Sequence, residues 1–196
     1  MLDENIIRQI KTYAELNNIP IMMDSGLNYL LKYISKNKIK KVLEIGTAIG
    51  YSAIMMCSVD SELVVTTIER DEKRYLEALK NIKKLDLENR IHLIYNDALD
   101  VKIEGYYDLI FIDAAKAQNQ RFFERFEKNL APDGVIVTDN IKFHGLVDKK
   151  IEEIESRNLR QLVRKVKDYI SFLKANSKYD TVFLDVGDGL AVSKKV

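Results

Sequence analysis

The chain has 196 residues, 46% of them hydrophobic and 31% charged, with a formal net charge of +1. That length suffices for one domain with a self-supporting core, and the composition excludes a disordered or fibrous chain. The near-zero charge excludes a global basic field, so a nucleic-acid partner would have to be held by a local patch. From the N-terminus, Leu2 to Leu16 spaces Ile6, Ile7, Ile10, Tyr13 and Ala14 at helical intervals behind Asp3 as N-cap, and Pro20 ends that element. Asp24 or Ser25 is placed to cap a second helix with Leu27, Leu30, Leu31 and Ile34 on one face.

After a polar loop from Lys36 to Lys40, KVLEI (41 to 45) predicts a buried strand interrupted by one acid, Glu44. Gly46 and Gly50 follow within a turn, and a helix begins near Tyr51. Strand and helix then alternate. Leu63 to Ile68 is a β-branched strand, Asp71 to Leu85 a helix with Tyr75, Ala78, Leu79 and Ile82 inward, and Ile91 to Tyr95 a strand. Tyr107 to Ile112 predicts a fourth strand, Gln118 to Leu130 a helix, Pro132 to Gly134 a turn and Gly134 to Thr138 a fifth strand. Asp148 to Lys174 has helical period, with a break near Ser156 to Asn158. Tyr179 to Leu184 and Leu190 to Ser193 form a final antiparallel pair, joined through Gly187-Asp188-Gly189. The expected fold is α/β, a Rossmann-like, mainly parallel seven-stranded sheet with an antiparallel C-terminal strand and helices on both faces. Residues 1 to 196 form one domain, with residues 1 to 36 covering the site or a dimer interface.

The single cysteine, Cys57, cannot form an internal disulfide, which suits a reducing compartment. No apolar run approaches the roughly 20 residues of a membrane span, and no signal peptide is evident at the N-terminus. A cytoplasmic location without a membrane partner is the expectation.

Candidate site residues cluster at the ends of the predicted strands. Gly46 and Gly50 do not have the dinucleotide spacing GxGxxG, which argues against a nicotinamide oxidoreductase. Glu69 ends the second strand, where such folds set an acid against a ribose diol; otherwise it is a first-turn helix acid. Asp97, in Asn96-Asp97-Ala98, could accept from an adenine amino group or cap a turn. Glu44, buried in a strand, requires a cationic or hydrogen-bonding partner. Asp113 follows the fourth strand and Asp139-Asn140 the fifth, so two carboxylates and an amide oxygen emerge at one sheet edge. These are hard ligands suited to Mg²⁺, Mn²⁺ or Ca²⁺; the alternative is that each aspartate caps the next element. Lys116, beside such a cation, is placed to act as a base, the alternative being a surface lysine. Arg157, Arg160 and Arg164 share one helical face, which either reads phosphates or is a solvated face balanced by Glu152, Glu153 and Glu155.

The segments EIGTAIGYS, TIE and NDA resemble successive cofactor motifs of class I S-adenosylmethionine-dependent methyltransferases. The branch resembled is the metal-dependent O-methyltransferases that include catechol and caffeoyl-CoA methyltransferases. The resemblance implies S-adenosylmethionine held by Met22, Glu44, Gly46, Ser52, Glu69, Asp97 and Asp113. It implies a divalent metal on Asp113, Asp139 and Asn140, Lys116 as base and a homodimer. The PIM, DAAKAQ and DNIKFHGLV segments are similar to those of bacterial tRNA 5-hydroxyuridine methyltransferases, which make 5-methoxyuridine at the wobble position. That similarity implies tRNA as partner and Arg157, Asn158 and Arg160 as candidate tRNA or dimer contacts. The alternatives are O-methylation of a small catechol-like or CoA-linked phenol, and a non-catalytic cofactor- or RNA-binding module.

Overall fold

The structure is a computed structural model that describes residues 2–196. Seven strands form one sheet in the order β3-β2-β1-β4-β5-β7-β6. They are β1 Lys41–Ile45, β2 Val64–Glu69, β3 Ile91–Tyr95, β4 Tyr107–Ile112, β5 Leu130–Thr138, β6 Tyr179–Leu184 and β7 Leu190–Lys195. The first five are parallel; β7 runs antiparallel between β5 and β6. The α/β expectation and its antiparallel C-terminal strands hold.

Six α-helices cover the sheet: α1 Glu4–Leu16, α2 Asp24–Lys36, α3 Tyr51–Cys57, α4 Glu72–Lys84, α5 Asn119–Phe126 and α6 Arg157–Ala175. Alternation along β1 divides the core. Val42 packs with α1, α2 and α3 on one face, while Leu43 and Ile45 pack with α5 and α6 on the other. Asp3 caps α1, accepting from the Asn5 and Ile6 amides, and Asp71 caps α4 through the Arg74 amide.

Several local expectations are corrected. Met23, rather than Asp24 or Ser25, occupies the N-cap of α2. Asp24 instead pairs with Lys11 at 2.7 Å, and the Ser25 hydroxyl accepts from the Gly187 amide. The segment from Asp148 does not begin a helix: it forms short 3-10 turns, and α6 starts only at Arg157, behind Ser156 as cap. Glu152, Glu153 and Glu155 crowd before that start, and Ser156 supplies the capping oxygen that the preceding residues lack. Pro132 to Gly134 lies inside β5, where the register with β4 shifts between Tyr107 and Leu109. On α4 Leu79 is 42% exposed, while Asn81 is buried and donates to the Ile49 carbonyl at 3.0 Å. Ile10 of α1 is spent on the chain's own core, and Ile6 and Ile7 pack against it. Among the described residues no helix is long and apolar enough to cross a membrane.

Candidate active site

The register of the parallel strands builds the site. Ile45 of β1 aligns with Ile68 of β2 and Ile112 of β4, and Ile112 with Thr138 of β5. The next residues, Gly46, Glu69, Asp113 and Asp139, therefore form one row across four strand ends. Backbone bonds carry the ladder one step further: the Gly46 amide donates to Ile68, Asp113 to Ile45 and Asp139 to Ile112, each at 3.0 Å. Because β1 lies between β2 and β4, the chain leaves β1 toward one side and returns at β4 on the other. Such a reversal opens a crevice at the carboxyl ends of the strands. A cavity of about 340 Å³ lies there. Pro20, Ile21 and Met22, just ahead of α2, form part of its wall.

Gly46 is required by space. Its φ is +98°, and a Cβ would stand 2.2 Å from the Asp113 carbonyl oxygen. Gly50, at φ +86°, caps the start of α3, which carries Ser52 into the wall.

Glu69 is 7% exposed, and both of its carboxylate oxygens accept from backbone amides. One carboxylate oxygen accepts from the Ala48 amide at 2.8 Å; the other accepts from the Arg70 and Asp71 amides at 2.9 and 2.8 Å. It thus ties the glycine turn to the start of α4. Asp97 accepts from the Leu99 amide at 2.8 Å and pairs with Arg70 at 3.2 Å. The backbone bond, then the Arg70 guanidinium, hold its carboxyl below the ordinary carboxylate value against the opposing effect of burial.

Glu44 does not line the cavity. It lies below the wall and takes hydroxyl donors, Ser52 and Thr67, both at 2.5 Å, while Thr67 also bonds Thr47 at 2.6 Å. Burial pushes its carboxyl up to about 7 despite those donors. The hydrogen-bonding partner that the sequence called for is thus a pair of hydroxyls, which link Glu44 to two residues of the cavity wall, Ser52 directly and Thr47 through Thr67.

Asp113, Lys116, Asp139 and Asn140 all line the other end of the cavity. Asp139 is 3% exposed, and the one donor to its side chain among the described residues is the neighbouring Asn140 amide at 2.7 Å. No donor reaches the Asp113 side chain among the described residues. Burial raises the Asp139 carboxyl first, and the charges of Asp113 and Asp188 raise it further. Burial raises Asp113 likewise, with Lys116 opposing. A buried and a partly buried carboxylate, short of donors and close enough for the charge of Asp113 to raise Asp139, are what a divalent cation would complete. Among the described residues no three His, Cys, Asp or Glu side chains are grouped so as to hold a metal ion; Asn140, which lines the same end of the cavity, carries an amide oxygen that would serve as a third protein ligand. Asn140 sits at φ +60°, a conformation in which Asn is tolerated. The Lys116 ammonium lies 5.6 Å from the centre of the Phe143 ring.

Arg157, Asn158 and Arg160 stand outside the cavity. Arg157 and Asn158 are exposed, whereas Arg160 donates to the Ile154 and Glu155 carbonyls at 2.7 and 3.0 Å. Asp188 and Gln118 line the cavity and were not singled out by sequence. Asp188 was hidden inside what reads as a hairpin loop; an acid between two glycines was the available signal.

Residues 2–196 match the family model described as O-methyltransferase. Among curated proteins the chain is similar to a caffeoyl-CoA O-methyltransferase of Stellaria longipes, 29% identical over 97% of this chain and 83% of the relative. A second, from Populus kitakamiensis, is 26% identical over 95% and 82%. Among solved structures it is similar to a candidate caffeoyl-CoA O-methyltransferase of Staphylococcus aureus. That protein is 41% identical with a TM-score of 0.92, over 97% of this chain and 92% of the other. An O-methyltransferase of Bacillus cereus solved with SAH shares the fold at 24% identity and TM-score 0.84, over 99% and 92%.

Proposed function

We propose a function from the premise that this chain belongs to the O-methyltransferase family, in its S-adenosylmethionine-dependent, caffeoyl-CoA O-methyltransferase-like branch. It transfers the methyl group of S-adenosylmethionine, with a divalent cation, to a hydroxyl flanked by a second oxygen. The carrying observation is the donor-poor pair of partly buried Asp113 and buried Asp139, each one residue past its strand, β4 beside β1 and β5 next to it.

In this reading the row of strand ends divides the work. Glu69, with its carboxylate fixed by three amides, is placed to accept from the ribose hydroxyls, and Asp97 borders the adenine. Gly46 and Ser52 line the methionine end, and Met22 covers it. Asp113, Asp139 and the Asn140 amide oxygen would hold the cation, which when bound supplies Lewis-acid lowering of the substrate hydroxyl's pKa. Lys116, against the Phe143 ring, is the group placed to take up or share the hydroxyl proton at Nζ. The backbone contact between Gly46 and the Asp113 carbonyl holds donor and acceptor sites at a fixed spacing.

The substrate we propose is the wobble 5-hydroxyuridine of tRNA, whose hydroxyl stands beside the 4-carbonyl oxygen and can chelate as a catechol does. Two features support it. The segment from Asp139 to Val147 resembles in sequence that of bacterial tRNA 5-hydroxyuridine methyltransferases, and α6 packs against the Lys116–Gln118 turn while exposing Arg157, Arg164 and Lys165. A small catechol-like or CoA-linked phenol is the second reading, favoured by the names of the curated relatives. Purified protein is incubated with S-adenosylmethionine and Mg²⁺ on tRNA bearing 5-hydroxyuridine, and in parallel on caffeoyl-CoA. Methylated nucleoside that disappears with chelator is the expected result. Turnover of caffeoyl-CoA alone would discard the tRNA assignment and keep the chemistry.

A further inference from the structure

We propose that Asp188, on the connection between β6 and β7, is the positioning residue that fastens the loop carrying Asn140 and Phe143 into its working shape. The inference rests on the methyltransferase reading above. The loop after β5 is built from unfavourable conformations: Asn140, Phe143 and His144 have φ of +60°, +46° and +54°, followed by Gly145 at +74°. Asn tolerates this region, but a bulky residue such as Phe143 adopts it only where neighbours hold it. The holding contacts converge on two residues. The Ile141 amide donates to the Gly189 carbonyl at 3.1 Å, the Lys142 amide to the Asp188 carbonyl at 2.9 Å, and the His144 amide to the Asp188 Oδ1 at 2.5 Å.

The approach is close enough that a Cβ on Gly189 would stand 2.7 Å from the Lys142 side chain and 3.1 Å from its amide. The same connection is anchored at its other end, where the Gly187 amide donates to Ser25 Oγ on α2. Asp188 is 6% exposed, and its Oδ2 is buried without a hydrogen-bond partner, 3.6 Å from the His144 Nδ1. A carboxylate kept in that state, next to Asp139 whose charge it opposes, is tolerated because of what Oδ1 does. The bond it makes sets where Asn140 offers its amide oxygen and where Phe143 meets Lys116.

The test uses the full chain, with Asp188→Ala and Asp188→Asn beside wild type. Methyl transfer, SAH affinity by calorimetry and amide exchange at His144 are measured on each. Asp188→Ala is expected to lower kcat roughly ten- to hundredfold while SAH affinity stays within about twofold, and to deprotect the His144 amide roughly tenfold or more. Asp188→Asn keeps an acceptor oxygen and is expected to restore most of kcat and of the protection. Wild-type kcat in Asp188→Ala, loss of SAH binding in step with activity, or an asparagine variant as impaired as alanine would each overturn the proposal. If wild type methylates nothing, the functional reading fails, and exchange at His144 in the two variants still decides whether Asp188 holds the loop.

Discussion

The two ends of the cavity treat their acids in opposite ways. At the β1–β3 end, Glu69 and Asp97 are surrounded by donors: three backbone amides for the first, one amide and Arg70 for the second. At the β4–β5 end, Asp139 is buried and Asp113 partly buried, with one neighbouring amide between them, and the charge of Asp113 raises the proton affinity of Asp139. The first arrangement is complete as the chain folds. The second is electrostatically open, and in the proposed reading a cation would close it. A site for a neutral-to-cationic organic cofactor can be preformed; a site for a dication must keep charge unsatisfied until the ion arrives.

The contrast can be broken most directly at Asp139. Asp139→Ala is expected to reduce methyl transfer roughly 10²–10³-fold, with a melting temperature equal to or above wild type because an uncompensated charge has gone. A large drop in stability, read by thermal melting, would mean that the acid is a structural group like Glu69. Glu69→Ala should behave in the converse way. SAH affinity is expected to fall about ten- to hundredfold and stability by about 1–3 kcal/mol, since three amides lose their acceptor; calorimetry and denaturant titration measure the two.

A pH series sharpens the comparison next. Asp113 and Asp139 both hold their protons more tightly in the folded chain than the unfolded chain does. The folded state therefore binds more protons, and their contribution is fully present below roughly pH 4 and is lost as pH rises toward neutrality. Cation-free protein should lose stability over that window, Mg²⁺ should remove much of the loss, and Asp139→Asn should flatten the slope. A slope unaffected by either would separate these carboxylates from the effect. The smallest change is expected at Glu44, whose carboxyl is raised to about 7 and is thus partly neutral already. Glu44→Gln should alter stability by no more than about 1 kcal/mol, measured by denaturant titration at pH 7.

Local pattern made much of this legible. Ile91 to Tyr95 and Tyr107 to Ile112 read as strands with their observed bounds, because turn residues flank short β-branched and aromatic runs. The row of strand-end acids was also readable, since a parallel sheet sends every strand's carboxyl end to one edge. What failed depends on partners distant in sequence. Leu79 fits the helical period but is largely exposed, while Asn81 turns inward to donate to the Ile49 carbonyl 32 residues upstream. The hydroxyls satisfying Glu44 come from positions 8 and 23 residues away, and periodicity carries no sign of them. Asp188 serves a loop 44 residues upstream, so its two flanking glycines read as a turn rather than as room for a close approach.

The near-contact of Gly46 with the Asp113 carbonyl has a consequence for how such an enzyme can vary. A methyl group on residue 46 would overlap that oxygen at 2.2 Å, so the missing side chain acts as a spacer of zero thickness between the turns that, in the proposed reading, hold methyl donor and acceptor. In the proposed reading, variation in substrate range falls to residues away from this contact, such as the exposed face of α6, while the spacing of the two turns stays fixed.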